Sequence, residues 1–159
     1  MVFVFWHFMY RDIGRFSADD ERLASFDANA LAAFSPGAPH GRAHVVHFWN
    51  PDCACNRFNR AHTLSIMEDY RPLGVTFSVA VTHSRHQESA LQRFPQAKEV
   101  IVAADIDNTS SPASAVFDAL GQLVYFGPYS EGAFCADDDG TPVELMLDEL
   151  LNTGHATPG

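Results

Sequence analysis

A chain of 159 residues with 47% hydrophobic and 19% charged residues has the apolar material for one well-packed core and too little length for two comfortable ones. Its formal net charge of −10, with only ten Lys and Arg scattered along it, argues against a nucleic-acid partner, because affinity for nucleic acid rests largely on neutralising phosphates. Three cysteines are too few for a disulfide-built scaffold, which a chain of this size does not need, so they read as chemistry rather than as staples.

Residues 1–10, MVFVFWHFMY, are almost wholly apolar. A bilayer-spanning helix needs roughly 20 such residues, and a signal peptide normally opens on a basic segment. With Arg11, Asp12 and Arg15 following, residues 1–16 fit two readings: the polar exit from a membrane anchor whose beginning is missing, or an apolar strand or helix packed on the domain. Next, Ser17 to Asp20 has the form of a helix N-cap with an acid three places on, and Leu23, Phe26, Ala30, Leu31 and Phe34 recur at helical spacing. An amphipathic helix over 17–34, with a break near Asp27, is predicted. Residues 35–41 hold two prolines and two glycines and must be a connection. They close a helix-and-linker unit, 17–41, ahead of the main domain at 42–152, which a flexible tail, 153–159, follows.

Within the main domain, His44 to Trp49 reads as a buried strand and Arg57 to Tyr70 as a helix. Val75 to Thr82, with Phe77, Val79 and Val81 alternating, is a second strand, Gln87 to Phe94 a second helix and Val100 to Ala103 a short third strand. Ala113 to Phe117 and Gln122 to Phe126 form a hairpin across Asp118 to Gly121. A last helix runs from Pro142, a favoured first-turn position, to Leu151. This order predicts an α/β fold around a mixed sheet.

Chemistry concentrates in His47-Phe48-Trp49-Asn50-Pro51-Asp52-Cys53-Ala54-Cys55. A cysteine between a buried strand and the first turn of a helix meets unsatisfied backbone N–H groups and the positive end of the helix dipole, both of which favour the nucleophilic thiolate. Arg57 and Arg60 can assist, whereas Asp52 opposes ionisation if its side chain is near. The blander reading of one such cysteine is a small core residue. Two of them at one strand-to-helix junction weaken that reading.

The run of strand, Phe-Trp, three residues, Cys and helix resembles the active-site segment of thioredoxin-like proteins. Downstream, Ser111-Pro112 before the two hairpin strands is similar to the same superfamily's second signature. The resemblance covers roughly residues 42–151 and is narrowest with membrane-tethered periplasmic members, including a bacterial group carrying Cys-x-Cys. It implies a mixed central sheet with helices on both faces, and a cis peptide bond before Pro112 facing Cys53 and positioning an extended substrate. It also implies thiol–disulfide exchange through Cys53 on protein or small-molecule thiols, with a redox partner it does not name and no cofactor. The location implied is the periplasm, or another extracytoplasmic site, at the end of an N-terminal membrane tether. Fold membership implies a reaction type rather than a substrate.

The chain also departs from the pattern. Asp52 stands where thioredoxins carry Trp, a single residue separates the cysteines, and Asn56 falls where the second cysteine belongs. His47 occupies the place of a buried acid beneath the active site, where a histidine is expected to move protons near neutral pH, unless it is a satisfied core residue. Cys53 and Cys55 with a nearby histidine also suit Cu(I) or Zn(II), so a metallochaperone is an alternative, as is a redox-inactive binding domain. His83 and His86 flank Ser84-Arg85 at a strand end, and His7, His40, His44, His62 and His155 show no ligand spacing. The acidic run Asp137 to Asp139 lacks the spaced ligands of a calcium loop and reads as a solvated turn.

The resolving thiol is a geometric question. Helical side chains advance about 100° per residue, so Cys53 and Cys55 cannot bridge if both are helical. Either Cys53 precedes the helix proper, or Cys135 approaches along the loop that in a thioredoxin-like fold returns beside the active site. Pro51 and Asp52 disfavour helix before Cys53, which favours Cys55 as the resolving thiol and leaves Cys135 auxiliary.

Overall fold

The computed structural model describes residues 31, 34–35, 41–52, 55–103, 113–128 and 141–154, the side chains of 55, 57 and 58 excepted. In chain order these form β1 (Ala43–Phe48), α1 (Cys55–Tyr70), β2 (Val75–Val81), α2 (Gln87–Arg93), β3 (Glu99–Val102), β4 (Ala113–Asp118), β5 (Leu123–Pro128) and α3 (Pro142–Thr153). Short 3-10 turns at Arg71–Leu73 and Ser84–His86 lead into β2 and α2. Every element predicted for the main domain is present, with ends shifted by one or two residues. Of the predicted N-terminal helix, Leu31 is helical and Phe34 lies in a turn, and the rest falls outside the described residues.

The strands form one five-stranded sheet in the order β3-β2-β1-β4-β5. β1 and β2 pair in parallel, as do β2 and β3, while β4 runs antiparallel to both β1 and β5. All six residues of β1 are buried, as a central strand covered on both faces must be. Its odd positions, Ala43 and Val45, join Phe77 and Val79 of β2 and Val116 of β4 in the larger core, against Ile66, Met67 and Tyr70 of α1, Ala90 of α2 and Val143, Leu147 and Leu150 of α3. Even positions, Val46 and Phe48, pack on the opposite face with Leu31, Phe34, Ala80, Ala115 and Phe117. The two parallel connections, β1-α1-β2 and β2-α2-β3, therefore put their helices on one face, as right-handed crossovers travelling in the same direction must.

Local chemistry fixes the ends. Gly41 has φ of +80°, and a Cβ there would stand 2.3 Å from the carbonyl oxygen of Gly74, so only glycine lets the linker pass the start of β2. In the hairpin, Asp118 Oδ1 accepts from the backbone N–H groups of Leu120 and Gln122, at 2.9 and 2.8 Å. At α3, Thr141 Oγ1 accepts from Glu144 N while Glu144 Oε2 accepts from Thr141 N, a reciprocal box with Pro142 opening the helix.

Candidate functional site

The parallel strands and β5 all end at one edge of the sheet, where the motif following β1 lies. Trp49 extends the ladder by one bond, its N–H donating to the Ala80 carbonyl at 2.9 Å. Its indole is buried, stacked edge-on to Phe94 with ring centroids 5.8 Å apart and covered by the Arg93 guanidinium at 5.8 Å. Beyond it the chain turns sharply. Asn50 Oδ1 accepts from Asp52 N at 3.0 Å, an Asx turn that leaves Pro51 and Asp52 exposed. The Asn56 amide then donates back to the Asn50 carbonyl. The first turn of α1 is thus tied back to Asn50, two residues beyond the end of β1.

Among the residues read as functional from sequence, His47 is fully described. Cys55 is the first residue of α1, two positions earlier than predicted for that helix. Cys53, Pro112 and Cys135 lie outside the described residues, as do residues 1–16 and the acidic run at 137–139. Cys53 is nonetheless bracketed by chain connectivity, one residue past Asp52 and two before the start of α1.

His47 is 2% exposed and meets Phe94 edge-on with ring centroids 5.0 Å apart. Burial lowers its pKa to about 3, because the charged imidazolium would lose its hydration. The imidazole is therefore neutral throughout the physiological range. The sequence left two readings of His47 open, a proton carrier and a core residue, and its burial is that of a core residue. His44 is a core histidine, its Nδ1 2.7 Å from Thr76 Oγ1. His83 and His86 stand after β2 with rings 5.9 Å apart, and Arg85 Nε donates to His86 Nε2, a nitrogen thereby turned away from metal ligation.

Two asparagines were not singled out as functional by the sequence. Asn56, at the position where a second cysteine would fall, is 7% exposed and serves as the loop's clamp. Asn59, one turn on, is 1% exposed, and neither Oδ1 nor Nδ2 has a hydrogen-bond partner among the described residues. A buried amide left in that state costs about 1–3 kcal/mol. The signal was available: Asn56, Asn59 and Thr63 occupy the same helical stripe as Ile66 and Tyr70, polar residues where the period calls for apolar ones. Ser114, the β4 partner of His47 in the sheet register, is fully buried and its Oγ is likewise unpartnered among the described residues.

Comparison with solved structures places this architecture. An uncharacterised thioredoxin-like protein from Porphyromonas gingivalis superposes with a TM-score of 0.51 at 21% identity, covering 72% of this chain and 79% of the other. A candidate thioredoxin from Neisseria meningitidis gives 0.54 at 12% identity over 72% and 77% of the two chains. A hypothetical protein from Sinorhizobium meliloti gives 0.58 at 16% identity over 81% and 76%. At these identities the likeness establishes the fold, which is thioredoxin-like. No curated protein matches the chain in sequence. Over residues 22–158, most of its length, the chain matches the family described as a domain of unknown function, DUF6436, and it belongs to that family.

Proposed function

We propose that this protein is a thiol–disulfide oxidoreductase acting through Cys53 on protein or small-molecule thiols. The observation that carries the reading is the junction itself: a fully buried central strand ends in a self-clamped turn, and α1 begins two residues after Cys53. The first-turn N–H groups of such a helix, together with its dipole, favour a thiolate at that position. The thiolate attacks one sulfur of a client disulfide, a mixed disulfide forms, and the client's other sulfur leaves as a thiolate that takes up a proton. A second thiol then attacks the Cys53 sulfur, which releases the reduced client and leaves this chain oxidised. Cys55 is that second thiol, with Cys135 auxiliary, and a dithiol redox partner resets the pair. Pro112, in the segment just before β4, positions the extended client.

The apolar run at residues 1–10 and the paired cysteines support an extracytoplasmic location on a membrane tether. Among the described residues no helix is long and apolar enough to cross a membrane. The test of function is insulin reduction with dithiothreitol as donor: the native chain accelerates it and Cys53→Ser does not. A variant as active as the native chain would overturn the assignment. For the resolving thiol, peptide mapping of the oxidised protein is expected to show Cys53 joined to Cys55. A dominant link to Cys135 that persists in Cys55→Ser would reverse the order of the two.

A further inference from the structure

Charge is unevenly spread along the chain. Residues 42–98 carry seven of the ten Lys and Arg but four of the twenty Asp and Glu, and between Arg71 and Lys98 the one acid is Glu88. Two of these cations stand at the ends of α2, and each is held by a ring rather than by a carboxylate. The guanidinium of Arg93, an exposed residue, lies 5.8 Å from the centre of the Trp49 indole, a cation–π contact. Arg85, also exposed, donates from Nε to His86 Nε2 at 3.0 Å. Among the described residues neither arginine forms an ion pair.

The fold sets the two side by side. His86 and Arg93 are seven residues apart, within about 20° of each other around the α2 axis and about 10 Å apart along it. The ring that carries the Arg85 side chain therefore shares one side of α2 with Arg93, while Glu88 stands about 140° around the axis from Arg93. Trp49 is bonded to Ala80, and β2 ends at Val81, just before the turn that holds Arg85. Both arginines thus belong to the sheet edge at which the motif after β1 lies. A guanidinium is a planar fork that matches a carboxylate with two parallel hydrogen bonds, and a fork already oriented loses less freedom on binding.

We propose that Arg85 and Arg93 form a clamp for two carboxylates of an extended acidic segment in a client polypeptide. This names the class of client for the proposed function, on which it rests. Along an extended chain, side chains on one side recur every ~7 Å, so those of neighbouring acids on that side reach two arginines about 10 Å apart. With a net charge of −10, the chain as a whole repels an acidic partner, so the clamp also steers such a partner to the edge that carries the motif. The carboxylates accept charge-assisted hydrogen bonds, and no bond to sulfur is involved.

The experiment is calorimetric titration of the native chain, at low salt, with a capped, cysteine-free peptide of alternating Glu and Ser. The peptide is expected to bind and its Gln-for-Glu counterpart not to. Arg85→Gln and Arg93→Gln should each weaken binding about threefold and together about tenfold. Arg71→Gln removes an equally exposed cation from the opposite end of the sheet, where α1 leads into β2, and should leave the affinity unchanged. Full affinity in the double variant overturns the proposal, as does an equal loss in Arg71→Gln, which would reduce the effect to net charge. Displacement of the peptide by an equal concentration of inorganic phosphate would assign the pair to phosphate and overturn it too. Because the peptide carries no sulfur, the two readings fail separately. A chain that binds it yet is inert towards insulin overturns the proposed function, and one that reduces insulin but ignores the peptide overturns the clamp alone.

Discussion

The two ends of the layer between α1 and the sheet are built from different chemistry. Towards the C-terminus of α1, Ile66, Met67 and Tyr70 meet Val45, Phe77 and the α3 residues Leu147 and Leu150 in a continuous apolar core. There the one polar atom of note, the Tyr70 hydroxyl, reaches outward to Asp148 at 2.8 Å, and burial with that carboxylate raises its pKa. Towards the N-terminus the same stripe carries Asn56, Asn59 and Thr63, and on the sheet β1 and β4 carry the buried pair His47 and Ser114. One end is arranged for packing and the other for polar atoms beside a cysteine motif. A fold that needed only stability would fill both ends alike, so the polar end is where function is to be sought.

The comparison can be broken by substitution at either end. The largest effect is expected on chemistry: Cys53→Ser should lower disulfide exchange at least a hundredfold with little change in melting temperature, whereas a comparable loss of melting temperature would place Cys53 in the packing end's class. At the apolar end, Ile66→Ala should cost about 2–5 kcal/mol in urea unfolding through lost burial and a cavity, while alkylation of Cys53 in the folded protein stays unchanged.

Acid should separate the ends by a different route. The folded pKa of His47 is lowered from 6.5 to about 3, so between those values the unfolded chain binds the extra proton. Stability contributed by the neutral imidazole is whole above pH 6.5 and falls as pH drops, by at most about 1.4 kcal/mol per pH unit. His47→Phe should flatten that slope in unfolding measurements from pH 7 to 4, and an unchanged slope would assign acid sensitivity elsewhere. Smaller again, Asn56→Ala removes the clamp on Asn50 and should cost about 1 kcal/mol, with faster amide exchange confined to residues 50–56. Far from both ends, Thr141→Ala should cost a similar or smaller amount, about 0.5–1 kcal/mol, through the α3 cap alone, and it should leave Cys53 alkylation untouched.

Much of the molecule was legible in the residues. Alternation in Val75–Val81, the turn chemistry of Asp118 to Gly121 and Pro142 at the start of α3 each act through local backbone geometry, which neighbours in sequence dictate. The position of the motif between strand and helix followed from the same local rules, whereas the thioredoxin-like reading came from the motif's resemblance to a known family. The sheet order, with β3 at one edge and β5 at the other, and the pairing of His47 with Ser114 are long-range facts that no local pattern encodes. For His47 the sequence supplied the residue and its place on a buried strand, but its pKa follows from the packing of Phe94 and the loss of water around the ring, which only tertiary contact decides. Asn56 and Asn59 show the same division. Their helical stripe is a matter of counting by 3.6, whereas the bond from one to Asn50 and the unpartnered burial of the other arise because a helix, a strand and a turn distant in the chain close on a single layer.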